Sequence, residues 1–360
     1  MLALGGENIF DNSDLCIIIP AYQAAAFLRR LLAQLAEFGE AVPVLVVDAG
    51  SRDDTGEVAR SLGAEVLRLP ERQGPAAARN AGAEVVKADT LLFLDADCVP
   101  HRDVLERVRR AFRDTPDLVA LTGSYDDAPP EQNFFSQYMN LRHHFTHQRA
   151  RREPATFWAG CGAVRREPFL RAGGFDAERY PRPQIEDIEL AARLRPFGRL
   201  RLDPNLQVTH LKRWDLRSVV QTDIVSRAIP WARLLAEQGE LPNDLNLRRS
   251  QRFAAALSPF VLVTPALLAG AVWSGRGWLA ALSGVTLAVA VGLNLPMVAF
   301  FARKRGAAFA VGAFLFHQVH LAYSSFTFAV FFALHRRTRA QRARGARAAE
   351  LDNRTNRPQN

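Results

Sequence analysis

The chain has 360 residues, with 46 Lys and Arg against 37 Asp and Glu, giving a formal net charge of +9. That length holds one large domain of roughly 200–250 residues plus an appendage, and the positive balance suits an anionic partner such as a phosphorylated substrate or a phospholipid surface. Three scattered cysteines, Cys16, Cys98 and Cys161, argue against a disulfide framework or a zinc site and fit a reducing compartment.

Met1 to Phe10 lacks the basic start and apolar core of a secretory signal. Leu15 to Ile19 then reads as a buried strand stopped by Pro20, and Phe27, Leu28, Leu31, Leu32 and Leu35 mark an amphipathic helix ending at Gly39. A strand over 42–47 closes in Asp48-Ala49-Gly50-Ser51. A helix over 53–62 stops at Gly63. A third strand covers 64–69, and Gly74-Pro75 opens a helix over 76–86. Leu91-Leu92-Phe93-Leu94 is a short apolar run too brief for a helix, read as a strand of a parallel sheet. Strands alternating with helices of about ten residues predict right-handed βαβ crossovers and a doubly wound, mostly parallel sheet.

The fourth strand ends in Asp95-Ala96-Asp97 at the carboxyl edge, where open α/β sheets bind ligands. Two carboxylates there either hold a hard divalent cation, Mg²⁺ or Mn²⁺, or merely cap the helix around 102–112. Three neighbours favour a ligand site: the strand end Pro20-Ala21-Tyr22, whose backbone could line a base or ribose; Asp48 in its tight turn; and Gly74 to Gly82, where helical Arg79 could reach a pyrophosphate with a bidentate fork.

After a strand over 118–123 the rhythm breaks. Phe134, Tyr138, Leu141 and Phe145 form a helical stripe interleaved with Arg142, His143, His144 and His147, either a helix covering the sheet or an acceptor-side or membrane-facing flap. The segment 213–252 mixes Leu216, Val219, Val220, Ile224 and Trp231 with Arg213, Arg217, Arg227 and Arg233, as in an interfacial helix lying among headgroups; a soluble linker helix is the alternative. Apolar blocks at 253–273 and 277–301 are each long enough to span a bilayer core, which needs about 20 residues. The block at 307–334 is interrupted by His317, Gln318 and His320, and reads as a third span with a polar face or as a re-entrant pair. Arg303, Lys304 and Arg305 argue for a cytoplasmic face at that point and for a catalytic domain on the same side. The basic tail 335–360 reads as disordered.

Taken in this order, the motifs from Leu15 to His210 resemble the family 2 glycosyltransferases of GT-A fold. Downstream, Ala159-Gly160-Cys161-Gly162 and Gly173-Gly174-Phe175-Asp176 look like the acceptor-side segment of that family, and Glu186-Asp187 is similar to its Glu-Asp motif. The resemblance implies an inverting sugar transfer from a nucleotide-diphosphate sugar, with Asp187 as general base and Glu186 beside it. It further implies Asp97 on a divalent metal, Asp95 on the ribose or the same metal, and His210 completing the metal shell or touching phosphate. Lys212-Arg213-Trp214 partly resembles the Arg-Trp motif of processive members but lacks its leading Gln; Arg213 would grip diphosphate and Trp214 stack on a sugar. Ala49 replaces a second Asp found in many relatives, which leaves uridine and guanosine diphosphate both open. The domains so implied are a catalytic domain 1–212, an interfacial linker 213–252, a membrane region 253–334 and a tail. The acceptor expected is a lipid or lipid-linked molecule at the cytoplasmic face of the inner (plasma) membrane, in a multi-pass protein. Nucleic acid is not an expected partner, since much of the Arg excess sits beside the apolar blocks. A nucleotidyltransferase is the alternative enzyme, although no Gly-rich loop with a basic residue follows the first strand; a non-catalytic membrane scaffold of the same fold is the other.

Overall fold

The computed structural model describes residues 13–154, 156–238 and 248–355. The Met1–Phe10 reading, part of the 213–252 linker (239–247) and the last five residues lie outside them. Contacts divide the chain into two units: Met1–Val219 with Asn243–Arg248 and Leu295–Ala313, and Val220–Pro242 with Arg249–Asn294 and Phe314–Asn360.

The first unit is built on an eight-stranded sheet of order β3-β2-β1-β4-β7-β6-β8-β5. Its strands are β1 (Leu15–Ala21), β2 (Val44–Asp48), β3 (Glu65–Arg68), β4 (Thr90–Leu94), β5 (Cys98–Pro100), β6 (Leu118–Tyr125), β7 (Cys161–Arg165) and β8 (Arg199–His210). β1, β2, β3 and β4 run parallel, joined by α1 (Ala25–Ala36), α2 (Thr55–Ser61) and α3 (Pro75–Val85). The apolar strands are hydrophobic on both faces because both are covered. Ile17, Ile19, Val46 and Leu92 face α1 and α4 (Val104–Asp114). Ile18, Val47, Leu91 and Phe93 face α3 and α7 (Glu186–Leu194).

β7 runs antiparallel to β4 and β6, and β6 runs parallel to β8. These directions deliver the ends of β1, β2 and β4, the start of β7 and the end of β8 to one edge of the sheet. The short β5, missed in the sequence because Cys98-Val99-Pro100 has no apolar run, pairs Cys98 with His210. β8 is a twelve-residue strand that the sequence pattern does not announce. Its exposure alternates residue by residue, so outward Arg199, Arg201 and Asp203 hid the strand. The striped segment is α5 (Phe134–Gln148), which covers the sheet: His144 and His147 place Nδ1 2.8 and 3.0 Å from the Tyr125 and Gly123 carbonyls of β6. Within the same unit, Phe301 and Phe309 from Leu295–Ala313 pack on Tyr138 and Phe134 of α5, and Lys304 pairs with Asp127.

The segment after β8 forms α8 (Leu216–Gln221), a π-helix over Thr222–Ala228 and α9 (Ile229–Gln238). α10 (Arg249–Ser274) follows. The expected second and third apolar blocks are joined in α11 (Gly277–Thr355), broken only at Gly306, where φ is +84°. Arg249–Ser274 and the stretch Gly277–Arg339, which is two helices meeting at the Gly306 kink, are long and apolar enough to cross a membrane. Helix also continues to Thr355 where a disordered tail was expected; the stretch is rich in Ala and Arg, both strong helix formers.

Gly82 lets α3 approach the sheet, since a Cβ there would stand 2.7 Å from Ile18 Cγ2 and 3.1 Å from Val47 Cγ2. Gly82→Ala should therefore lower the thermal unfolding midpoint of the detergent-solubilised chain, with an overpacking penalty of about 1–3 kcal/mol outweighing its helix-propensity gain. An unchanged or raised midpoint would show that the interface yields.

Candidate active site

The donor side is set by turns that lock one another. After β1 the chain takes a positive φ at Gln23. Its amide donates to Ser51 Oγ, and that of Ala24 to Thr55 Oγ1, both at 2.9 Å. Asp48, one of the residues expected to line the ligand site, has no exposed surface. Its Oδ1 accepts from the Ser51 amide at 2.8 Å and its Oδ2 from Arg68 Nη1 at 3.1 Å. It shapes the turn, and beside it the Arg72 guanidinium lies 4.4 Å over the Tyr22 ring.

Gly74 starts α3 because the next wall comes too close for a side chain: a Cβ would meet the Pro181 carbonyl at 2.5 Å. One turn on, Arg79 is buried. It donates from Nη2 to Asp95 Oδ1 at 2.6 Å and from Nη1 to Glu186 Oε1 at 3.3 Å. Burial alone would lower its pKa, but the Asp95, Glu186 and Asp187 charges raise it above the ordinary value. The expected grip of Arg79 on a pyrophosphate is thus replaced by a bridge between two acids. The adjacent Asn80 binds both the amide and the carbonyl of Phe175 at 2.8 Å, tying α3 to the segment that leads to α7.

Beyond β4, Asp95, Asp97 and Cys98 form a group whose ligand atoms lie within 4.8 Å of one another. Ala96 is the spacer that keeps both acids on the loop. Burial and the Asp97 and Asp95 charges push the Cys98 thiol far up, so the oxygens are the ligands this group offers. β5–β8 pairing brings His210 Nε2 to 3.5 Å from Asp97 Oδ2, and the His210 ring stacks on Tyr125 at 4.2 Å. Burial works to raise the Asp97 pKa, and His210 with Lys212 more than offsets it, leaving a carboxylate below the ordinary range. An all-oxygen pair of stable carboxylates with an imidazole beside it fits Mg²⁺ or Mn²⁺.

Lys212 is not among the residues the sequence pattern assigns to ligand; its ammonium lies 3.9 Å over the Trp214 ring. Trp214 itself is buried, its amide donating to Ser136 Oγ at 2.7 Å. Arg213 points outward onto Glu131 at 2.8 Å. The sugar stack and diphosphate grip expected of Trp214 and Arg213 are therefore not what these contacts provide, and it is Lys212 of this trio, after His210, that is electrostatically coupled to Asp97.

On the acceptor side, α7 begins with both acids of the expected pair. Glu186 is buried and accepts from the Gln184 amide at 2.8 Å as well as from Arg79. Asp187 is partly buried; Oδ2 accepts from the Ala159 amide at 3.2 Å and Oδ1 from the Ile188 amide at 2.8 Å. Burial and the neighbouring Glu186 charge push its pKa up to about 7, against the opposing pull of Ala159, Arg79 and Ile188. The Gly160 carbonyl accepts from the Asp95 amide at 3.2 Å, so one short loop touches both acid groups. Trp158 folds over Gly160 and meets Tyr125 edge-on at 4.8 Å; neither aromatic carries a motif that would reveal this in the sequence.

Arg79→Met would leave Asp95 and Glu186 without their shared counter-charge. Breaking a buried ion pair costs roughly 3–5 kcal/mol, so the unfolding midpoint should drop markedly at pH 7. A midpoint equal to that of the parent at pH 7 would show that the bridge contributes nothing to stability.

The sequence model described as Glycosyl transferase family 2 matches residues 16–173. The chain is 29% identical over 297 residues to a pre-mycofactocin glycosyltransferase of Mycobacterium tuberculosis, a match covering 79% of this chain and 58% of that protein. It is 40% identical over 90 residues to the succinoglycan biosynthesis protein ExoU of Rhizobium meliloti, covering 24% of this chain and 26% of that one. The mannosyltransferase PcManGT from Pyrobaculum calidifontis, solved in complex with GDP-Man and Mn2+, superposes with a TM-score of 0.54 at 19% identity, over 86% of this chain and 88% of that one, which is a likeness of fold. The segment 16–173, which carries Asp95 and Asp97, thus matches the family 2 glycosyl transferases, and the β1-to-β8 unit that adds Glu186 and Asp187 has the GT-A fold.

Proposed function

We propose that this chain is an inverting glycosyltransferase that moves a sugar from a nucleotide-diphosphate sugar onto a lipid or lipid-linked acceptor. The observation that carries the reading is the electrostatic contrast across the crevice: Asp97 is held below the usual carboxylate range while Asp187 is raised to about 7. Two carboxyl groups pushed apart in this way are suited to different tasks, one as a fixed anion and one as a base that takes a proton near neutral pH.

Asp97 and Asp95 would hold the divalent ion, with His210 alongside. The ion, when bound, neutralises the charge that builds on the departing diphosphate. Lys212 adds a second positive charge near Asp97. Asp187 removes the proton of the acceptor hydroxyl, and its raised pKa keeps the carboxylate basic enough for that proton. Glu186, engaged with Arg79 and the Gln184 amide, positions the start of α7. PcManGT binds GDP-Man and Mn2+; a GDP- or UDP-sugar with Mn²⁺ or Mg²⁺ is the donor pair expected here.

The membrane part of the proposal rests on where the apolar surface lies. Trp273 is 94% exposed and Trp278 60%, flanking the turn between the two long helices, as aromatic side chains do at a headgroup boundary. A soluble helix of this composition would bury those rings. The proposed division is a catalytic domain over 1–212, an interfacial segment over 213–252 and a membrane region over 253–334. Lys304 and Arg305 bind Asp127 and Gln137 within the catalytic unit. Their basic cluster therefore shares a side with the catalytic domain, which the positive-inside tendency makes cytoplasmic.

The chain spans 58% of the M. tuberculosis relative, so activity is best tested directly. Membranes containing the protein are incubated with labelled GDP- and UDP-sugars and extracted into organic solvent. Label should enter the lipid fraction, and label released only as free sugar or into water-soluble product would sink the acceptor proposal. Asp187→Asn should lower transfer by about 10²–10⁴-fold while nucleotide-sugar affinity stays close to that of the parent. The rate should rise with pH through about 7 as Asp187 loses its proton. Because the folded pKa lies above the ordinary aspartate value, the stability this group contributes is complete below that ordinary value and is lost as pH rises through about 7; the active ionisation is the less stable one. A flat pH–rate profile between about 5.5 and 8 would remove Asp187 as the base. Asp97→Ala should abolish the Mn²⁺-dependent part of GDP or UDP binding in calorimetry, and unchanged affinity would count against the metal site.

A further inference from the structure

The loop that touches both acid groups carries two aromatic residues that go opposite ways. Phe157 is 1% exposed and belongs to the core, and Gly162 makes room for it: a Cβ there would stand 2.5 Å from Phe157 Cζ. Trp158 remains partly exposed. Its ring lies over Gly160, where a Cβ would stand 2.5 Å from Trp158 Cε2, and its amide donates to Thr122 Oγ1 at 3.2 Å. The next residue, Ala159, donates its amide to Asp187. Tyr125, edge-on to Trp158 at 4.8 Å, stacks on His210 beside Asp97. A chain of contacts therefore runs from Asp97 through His210, Tyr125 and Trp158 to the amide that holds Asp187. His143 and His147 of α5 lie 4.9 and 5.7 Å from the Trp158 ring.

The charge beside Asp187 limits what can react there. Glu186 precedes it, and the Arg79 guanidinium has both ends of its fork on Asp95 and Glu186. A phosphate acceptor would bring a further anion against these carboxylates. Its oxygen, already ionised at neutral pH, would also give a base no proton to remove. A neutral hydroxyl meets neither difficulty. Among neutral acceptors, a hydroxyl on a flexible chain gains little from a flat ring. A sugar ring presents a face of C–H bonds that rests on the electron-rich face of an indole, while its hydroxyls turn outward to polar groups.

We infer that the acceptor hydroxyl belongs to a sugar ring stacked on Trp158, so that the acceptor is a glycosylated lipid rather than a lipid phosphate. This deepens the lipid-acceptor reading and rests on it, and on Asp187 as base, for the reaction. The acceptor oxygen passes its proton to Asp187 and bonds to the anomeric carbon of the donor. The bond from that carbon to the diphosphate breaks, and its electron pair leaves with the nucleoside diphosphate. The lipid labelled by membranes containing the protein is deacylated with base and then treated with mild acid. Label should be recovered in a fragment of two or more sugars, and label recovered as a single sugar overturns the inference. In parallel, the full chain in a polyoxyethylene detergent, with GDP or UDP and Mn²⁺ present, is oxidised with N-bromosuccinimide, and oxidation at Trp158 is read by peptide mass spectrometry. Octyl glucoside, galactoside or mannoside should protect Trp158 saturably, and octyl phosphate should not. Protection by none of the three glycosides, or equal protection by octyl phosphate, overturns the stacking role. With extracted membrane lipid as acceptor, Trp158→Leu should raise the acceptor KM about tenfold and change kcat less, while Trp158→Phe, which keeps a ring face, should stay within about threefold. Equal losses in both variants would leave the ring a structural part only and overturn the role; if Trp158→Leu does not fold, the protection measurement on the parent still decides. The two readings fail separately. Protection of Trp158 by a glycoside, with label only in water-soluble product, keeps the sugar platform and loses the lipid. Label entering lipid as a single sugar does the reverse.

Discussion

A guanidinium with almost no exposed surface must be matched by charge, and the matching of Arg79 organises the catalytic unit. Its two partners come from opposite walls of the crevice: Asp95 from the loop after β4, Glu186 from the first turn of α7. One planar fork therefore sets the spacing between the donor-side acids and the acceptor-side acids. The Arg79 Nε remains buried without a partner, a local cost tolerated because both ends of the fork are engaged. Breaking either contact would strand a charge in a poorly solvated place, which is why such pairs act as registers even when their net contribution to stability is small. Asn80, binding the Phe175 backbone twice, repeats the same connection one residue along with neutral groups.

The chemical consequence falls on Asp187. Arg79 is shared by Asp95 and Glu186, so its pull on Asp187 is a weaker, through-space one, outweighed by burial and by the Glu186 charge. Had the fork closed on Asp187, that carboxylate would have been a poor proton acceptor. The neutralising charge instead goes to the residue beside it. On the other wall Asp97 has His210 and Lys212 to itself and stays anionic. The two walls carry the same residue type with opposite titration behaviour because different cations face them.

Legibility in the sequence depends on range. Short apolar strands, the turn at Asp48 and the acid pairs at 95–97 and 186–187 are local patterns, and the doubly wound order comes from their alternation. The partners of Arg79 are not local: Glu186 lies 107 positions away, and nothing in a helix bearing an Arg says whether it points to ligand or to another wall. Asp48 is legible as a residue and not as a contact, because its burial depends on Arg68 one strand away. His210 beside Asp97 needs β5, a three-residue strand with no periodicity to detect. Lys212 is obscured by the Arg213-Trp214 pair beside it, since a family pattern directs the eye to its own residue types. The strand β8 is half hidden because one of its faces is charged.

The second unit poses the complementary problem, an apolar sequence in which the informative residues are the polar exceptions. His317, Gln318 and His320 stand out as interruptions of a span, but their meaning depends on Asp223, 97 positions before His320 and within a segment that reads as an ordinary amphipathic helix. A regular α-helix at 222–228 would follow the 3.6-residue period that places neighbours at i+3 and i+4. The π-helix shifts that period, so the face on which Asp223 lies could not be read from spacing alone. The same widened turn leaves Arg227 on a neighbouring face, close enough to Asp223 for a 3.4 Å contact and still half exposed.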